Sequence, residues 1–205
     1  MGSDIDNFRC PFCFCTDRER HLMMYFDKLE IWALIVGKNV LHIAPEPNIE
    51  EKLKNIGLYK YILGDISPSK ADHQKIDITA INFKNGTFDF IMCNHVLEHV
   101  EDHKKALSEL YRVLSTGGTA ILQTPYSTVL NNNFEDSAIT TPKLREVFHG
   151  QWDHVRTFSR RELFDEFRHA GFELEVIPHS SLFDENDARL HGVNIKEPLL
   201  LLRKR

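Results

Sequence analysis

The chain has 205 residues, 42% hydrophobic and 27% charged, with a formal net charge of −5. That length predicts one domain with a sizeable core. The acidic balance excludes a global basic field for a nucleic-acid backbone, and no apolar run nears the roughly 20 residues of a membrane span.

No charged-then-apolar leader opens the chain, so secretion is not expected. Of the four cysteines, Cys10, Cys13 and Cys15 crowd together and Cys93 falls in a predicted core strand. That is no disulfide framework, and a reducing, cytoplasmic setting is expected. Residues 9–15 read RCPFCFC. Cys-Pro-x-Cys has the look of half a zinc ribbon, whose turn aims two thiolates at one ion. Cys15 and His21 are the local candidates for the other two ligands. The alternative is a set of reduced thiols with no metal.

Residues 17–36 carry a helical pattern, with Leu22, Phe26, Leu29, Ala33 and Val36 on one face, Thr16 or Asp17 as cap and Gly37 as stop. Asn39–Ile43 reads as a short strand. Ala44-Pro45-Glu46-Pro47 follows as a loop, and Asn48 with Glu51 predicts a capping box for a helix ending at Gly57. Residues 59–64 form a second strand ending at Asp65, and residues 72–78 hold a short edge strand.

Phe88–Cys93 is apolar enough to be a buried strand. A polar corner, Asn94–His99, leads to a helix capped by Asp102, with Leu107, Leu110 and Leu114 along one face and Gly117–Gly118 as its stop. Thr119–Thr124 is the next strand. Strand, helix and strand within some forty residues predict a parallel, right-handed crossover. Tyr126–Ile139 is a polar loop, and Pro142 opens a short helix. Residues 148–159 gather His149, Trp152, Asp153, His154 and Arg156. Ser159 and Glu162 cap a further helix closed by Gly171, and residues 172–177 and 198–202 are the last strands.

The block FDFIMCNHVLEHVEDHKKALSELYRVLSTGGTAILQTP resembles class I S-adenosylmethionine-dependent methyltransferases of the methyltransferase type 11 kind. The resemblance extends more loosely over about residues 39–176. It implies a Rossmann-like, doubly wound α/β fold: a mostly parallel seven-stranded sheet with a C-terminal antiparallel hairpin. Residues 1–37 would form a Cys-containing cap or lid and residues 38–205 the methyltransferase domain. It implies S-adenosyl-L-methionine as cofactor, held by Ala44, Pro45, Glu46, Asp65, Ile66, Asp77, Ile78, Asn94 and His95. Asp65 would accept from the ribose hydroxyls, and Asp77 from the adenine amino group with Ile78 against the ring. A small-molecule acceptor would meet Tyr126, Trp152, His154 and Arg156. His95, Glu98, His99 and His154 are the candidates for a general base.

The sequence departs from the family where a strand acid and a glycine-rich loop are usual: His42 and Ala44-Pro45-Glu46-Pro47 stand there. Two prolines remove two backbone donors, which disfavours a phosphate-bearing ligand and leaves a phosphate-free sulfonium cofactor. His95-Val96-Leu97-Glu98-His99 also spells the H-x-x-E-H of inverted zinc peptidases. The strand-to-helix context and the methyltransferase pattern account for the same letters. Two alternatives stay open: a non-catalytic binding or regulatory module on this fold, and a zinc-containing RNA methyltransferase using the cysteines. The acidic charge argues against the latter. Nothing in the sequence fixes the acceptor atom or an oligomeric state.

Overall fold

The computed structural model describes residues 9–205. Strands β1 (Asn39–Ile43), β2 (Lys60–Asp65), β3 (His73–Lys75), β4 (Phe88–Cys93) and β5 (Leu114–Ile121) are followed by a two-residue strand, β6 (Tyr126–Ser127). The chain then adds β7 (Phe158–Ser159), β8 (Glu173–Ile177) and β9 (Leu199–Arg203). Seven of these make one sheet in the order β3-β2-β1-β4-β5-β9-β8, and β6 pairs separately with β7. Pairing is parallel from β3 through β5, whereas β9 runs antiparallel to both β5 and β8. This is the doubly wound sheet with an antiparallel C-terminal pair that the sequence implies. The order reverses beside β1, so the cleft at the carboxyl ends of β1 and β4 is the topological switch point where such folds bind ligands.

Helices α1 (Asp17–Lys28), α2 (Ile31–Ile35), α3 (Pro47–Lys54), α4 (His103–Val113), α5 (Pro142–His149), α6 (Arg160–His169) and α7 (Glu185–His191) surround the sheet. Alternation along β4 feeds two cores. Phe90 and Met92 join Leu22, Phe26, Ile49 and Leu53 on one face. Ile91 and Cys93 join Leu107, Leu110, Leu163 and Phe167 on the other.

Several boundaries differ from the sequence reading. The helix expected over 17–36 breaks at Glu30, whose backbone is left-handed (φ 55°), giving α1 and α2. Thr16 does cap α1, in a full capping box with Glu19. Helix α3 begins at Pro47, not Asn48; the Asn48 amide is drawn instead to Glu19 Oε1 at 3.2 Å. Helix α4 stops at Val113, so Leu114 and the Gly117–Gly118 pair belong to β5, where the β4–β5 register shifts. No sequence signal drew attention to α7, capped by Asp184. Among the described residues no helix is long and apolar enough to cross a membrane.

Candidate active site

Both central strands end in strained backbone. Ala44 follows β1 with φ 48°, and His95 lies just beyond β4 with φ 54°. Non-glycine residues hold such angles only where neighbours over-determine them. Here Ala44 N–H donates to the Gly64 carbonyl (2.8 Å) and His95 N–H to the Gln123 carbonyl (2.7 Å). Each neighbouring strand thus fixes one of the two corners.

A rail of polar side chains crosses the carboxyl end of the sheet. Tyr61 Oη lies 2.8 Å from His42 Nδ1, and His42 Nε2 lies 2.6 Å from Glu46 Oε2. Glu46 Oε1 accepts from the Asn94 amide at 2.9 Å, and Asn94 Oδ1 accepts from the Gln123 backbone N–H at 3.1 Å. Gln123 in turn accepts from Leu200 N–H (2.7 Å) and donates to the Pro198 carbonyl (3.0 Å). The rail joins β2, β1, β4, β5 and β9. His42, which replaces the family's usual strand acid, is fully buried and serves to aim Glu46. Burial pushes the Glu46 carboxyl up, but the hydrogen bonds from His42 and Asn94 outweigh it and hold the group below the usual carboxylate range. Glu46 therefore remains ionised at neutral pH and keeps lone pairs for a further donor.

Two cavities meet at Ala44. One, of about 440 Å³, is lined by Asp65, Ile66, Asp77, Ile78, Val96 and His99, among others. Asp65 accepts from Ser67 N–H with one oxygen (2.7 Å), and Asp77 Oδ1 accepts from Thr79 N–H and Oγ1 (2.8 and 2.7 Å). Those Thr79 bonds hold the Asp77 carboxyl below the ordinary value. The lining also includes Glu101 and Asp102, and no lysine or arginine. The other cavity, of about 320 Å³, is lined by Arg18, Tyr25, Glu46, Asn94, His95 and Glu197, with Gln123 at its back. Pro45 completes the loop between β1 and α3. Helix α1 thus forms a wall of this second cavity, the position in the fold where a cap would sit.

A third cavity, of about 450 Å³, shares Arg18 with the second and is lined by Tyr126, His149, His154 and Arg156. Trp152 is 62% exposed and is not among its lining residues. Arg156 is 2% exposed, and its guanidinium is committed to structure. It donates to the carbonyls of Leu97, Val100 and Glu101 and pairs with Glu135. Burial lowers the His154 pKa, so its imidazole is neutral at pH 7.

Of the base candidates, Glu98, His99 and His154 converge, with one ligating atom from each within 4.8 Å of the others. His95 stands apart, its Nδ1 3.7 Å from Glu98 Oε1 and its Nε2 3.8 Å from Glu197 Oε1. The predicted grouping of Cys10, Cys13, Cys15 and His21 does not form: among the described residues, no three of them converge as ligands. His21 faces inward, its Nε2 2.9 Å from Nδ1 of His179. Cys15 is buried, and burial pushes its thiol up to about 12. Arg18, Tyr25, Gln123 and Glu197 were not singled out in the sequence. Tyr25 has the spacing of an ordinary core position, and Glu197 lies in a loop with no motif.

A strained switch-point cleft over a parallel sheet, with carboxylates at the tips of β2 and β3, defines the class: a Rossmann-like fold of the kind seen in S-adenosylmethionine-dependent methyltransferases. The family profile described as "Methyltransferase domain" matches residues 27–176, and the chain belongs to that family. Demethylmenaquinone methyltransferase from Bacteroides fragilis is 35% identical over 75 residues, 37% of this chain and 30% of that protein. The ubiquinone/menaquinone biosynthesis C-methyltransferase UbiE from Klebsiella pneumoniae is 38% identical over 72 residues, 35% of this chain and 25% of its own length. The matches therefore span under a third of those relatives. An S-adenosylmethionine-dependent methyltransferase from Mesorhizobium loti shares the fold with a TM-score of 0.62 at 12% identity, over 91% of this chain and 96% of that one. The Burkholderia thailandensis 1,6-didemethyltoxoflavin-N1-methyltransferase, solved with S-adenosylhomocysteine, gives 0.54 at 12% identity, over 91% of this chain and 86% of that one.

Proposed function

We propose that the chain binds S-adenosyl-L-methionine across the two cavities joined at Ala44 and transfers its methyl group to a small polar acceptor. One observation carries this: the larger cavity presents carboxylates and apolar side chains but no cation among its lining residues. A nucleoside finds acceptors for its hydroxyl and amino groups there, whereas a phosphate would meet only like charge. The adjoining cavity offers Glu46, ionised and held in place, to an ammonium. When bound, the cofactor supplies an electrophilic methyl on a sulfonium. The chain's own contribution is then mainly alignment, since displacement needs the acceptor atom in line.

The acceptor would approach from the third cavity, past Arg18 and Tyr126. Among the described residues that cavity offers Arg18, His149 and His154 and no carboxylate, which suits a polar acceptor better than a long apolar one. Calorimetric titration of the stripped protein with S-adenosylmethionine and S-adenosylhomocysteine tests the reading. Micromolar binding of both is expected, and no heat with either would overturn it.

A further inference from the structure

We propose that Glu98, His99 and His154 form a binding site for one divalent transition-metal ion, with two imidazoles and one carboxylate as protein ligands. The three ligating atoms lie within 4.8 Å of one another, so a small contraction would bring them around one ion. Glu98 is 2% exposed, and its Oε2 has no hydrogen-bond partner. A buried carboxylate oxygen facing nothing is costly, and a cation between it and the imidazoles removes that cost.

The site is held from outside. Glu98 and His99 lie in a 3₁₀ turn, Leu97–His99, after β4, and His154 lies in the segment after α5. Val155 N–H donates to the Glu98 carbonyl at 2.9 Å, joining the neighbour of one would-be ligand, His154, to another, Glu98. The buried Arg156 guanidinium donates to the carbonyls of Leu97, Val100 and Glu101. The segment bearing His154 is thereby clamped to the turn bearing the other two ligands. Behind His99, Nδ1 lies 3.3 Å from the Asp153 carbonyl and 3.4 Å from Asp153 Oδ2, acceptors of the kind that orient an imidazole for ligation through its other nitrogen. The one other convergent group among the described residues, Glu50, Asp72 and His73, is already neutralised by Lys54 and Lys70.

Two imidazoles select zinc, iron or cobalt over magnesium or calcium, and three protein ligands leave coordination positions open. His99 lines the cavity of Asp65 and Asp77, and His154 lines that of Arg18 and Tyr126. The ion would therefore stand between the two, where an acceptor oxygen or nitrogen could complete its shell. The H-x-x-E-H lettering is only half used. His95, with its left-handed backbone, stays out, and His154 from far along the chain takes its place.

The test is titration of chelator-treated full-length protein with Zn²⁺ against a chromophoric chelator, then with Co²⁺ followed by visible absorption. One equivalent at micromolar affinity or tighter is expected, with cobalt bands. Glu98→Gln and His154→Asn should each weaken binding at least tenfold, while a Cys10→Ser/Cys13→Ser double variant should keep it. No binding by the unaltered protein, full affinity in both site variants, or loss only in the cysteine variant would overturn the proposal. Circular dichroism checks folding. If Glu98→Gln does not fold, the half-buried His154 position decides alone. The titration needs no cofactor, so its result stands apart from the methyl-transfer reading.

Discussion

The buried pair His21 and His179 makes stability at mild acid pH the sharpest test of the packing. His179 Nε2 lies 3.1 Å from the Asp184 carbonyl, which can only accept. His179 therefore carries its proton on Nε2, and its Nδ1 accepts from His21 Nε2. Burial, with His179 adding to it, holds His21 down at about 3. Between an unfolded value of about 6.5 and that folded value, the unfolded chain binds one proton more than the folded one. This contribution is complete above pH 6.5 and is lost as pH falls through the window. At pH 5 the loss is about 1.5 units at 1.36 kcal/mol each, roughly 2 kcal/mol relative to pH 8, and at pH 4 roughly 3 kcal/mol. His21→Gln keeps an N–H donor toward His179 and cannot titrate. Urea unfolding of both proteins at pH 8, 6 and 5 gives the answer, because other titrating groups are common to the two. The stability difference should shrink by about 2 kcal/mol, in favour of the variant, from pH 8 to pH 5. Parallel curves within about 0.5 kcal/mol would refute the assignment of a buried neutral imidazole.

Asp65→Ala and Asp77→Ala should each weaken S-adenosylmethionine binding several-fold in calorimetry; unchanged affinity in both would sink the placement of the nucleoside. Arg156→Lys should cost about 2–4 kcal/mol in chemical denaturation, because one ammonium cannot satisfy three buried carbonyls spaced for a planar guanidinium. A cost under about 0.5 kcal/mol would show that the clamp is dispensable. Ala44→Gly should stabilise by about 1 kcal/mol through relief of the left-handed backbone, raising the melting temperature by roughly 2–4 °C. A lower melting temperature would mean that Ala44 is not strained.

The sheet was legible because its strands are short apolar runs bounded by turn residues, as in Asn39–Ile43 and Phe88–Cys93. Buried parallel strands need no finer signal. Helix ends were less so. Leu29 and Ala33 continue the apolar spacing through the break, and only the left-handed Glu30 backbone reveals it. Gly117–Gly118 reads equally as a helix stop or as an irregular strand. At the site, Asp65, Ile66, Asp77 and Ile78 were readable as a group through the methyltransferase resemblance, and the structure puts them in one cavity. The rail from Tyr61 to Gln123 was not, because its members come from two strands and the segments just beyond three, and each alone looks like a core polar residue. The buried Arg156 reads in sequence as an acceptor-contacting residue. Only tertiary structure shows that its donors face carbonyls.

The way α1 is anchored bears on when the site comes into being. Arg20 donates to the carbonyls of His191 and Gly192, His21 meets His179, and the Tyr25 hydroxyl donates to the Ile177 carbonyl. A wall made by residues near the start is thus pinned by residues near position 190. A ribosome delivers those two segments many seconds apart, at about 5–20 residues per second. Through that interval the sheet from β1 to β5 can assemble and take up the Leu22 and Phe26 side of α1, while the partners of Arg20, His21 and Tyr25 are still to come. The wall of the second cavity is thereby locked only once the segment from Ile177 to Gly192 has emerged.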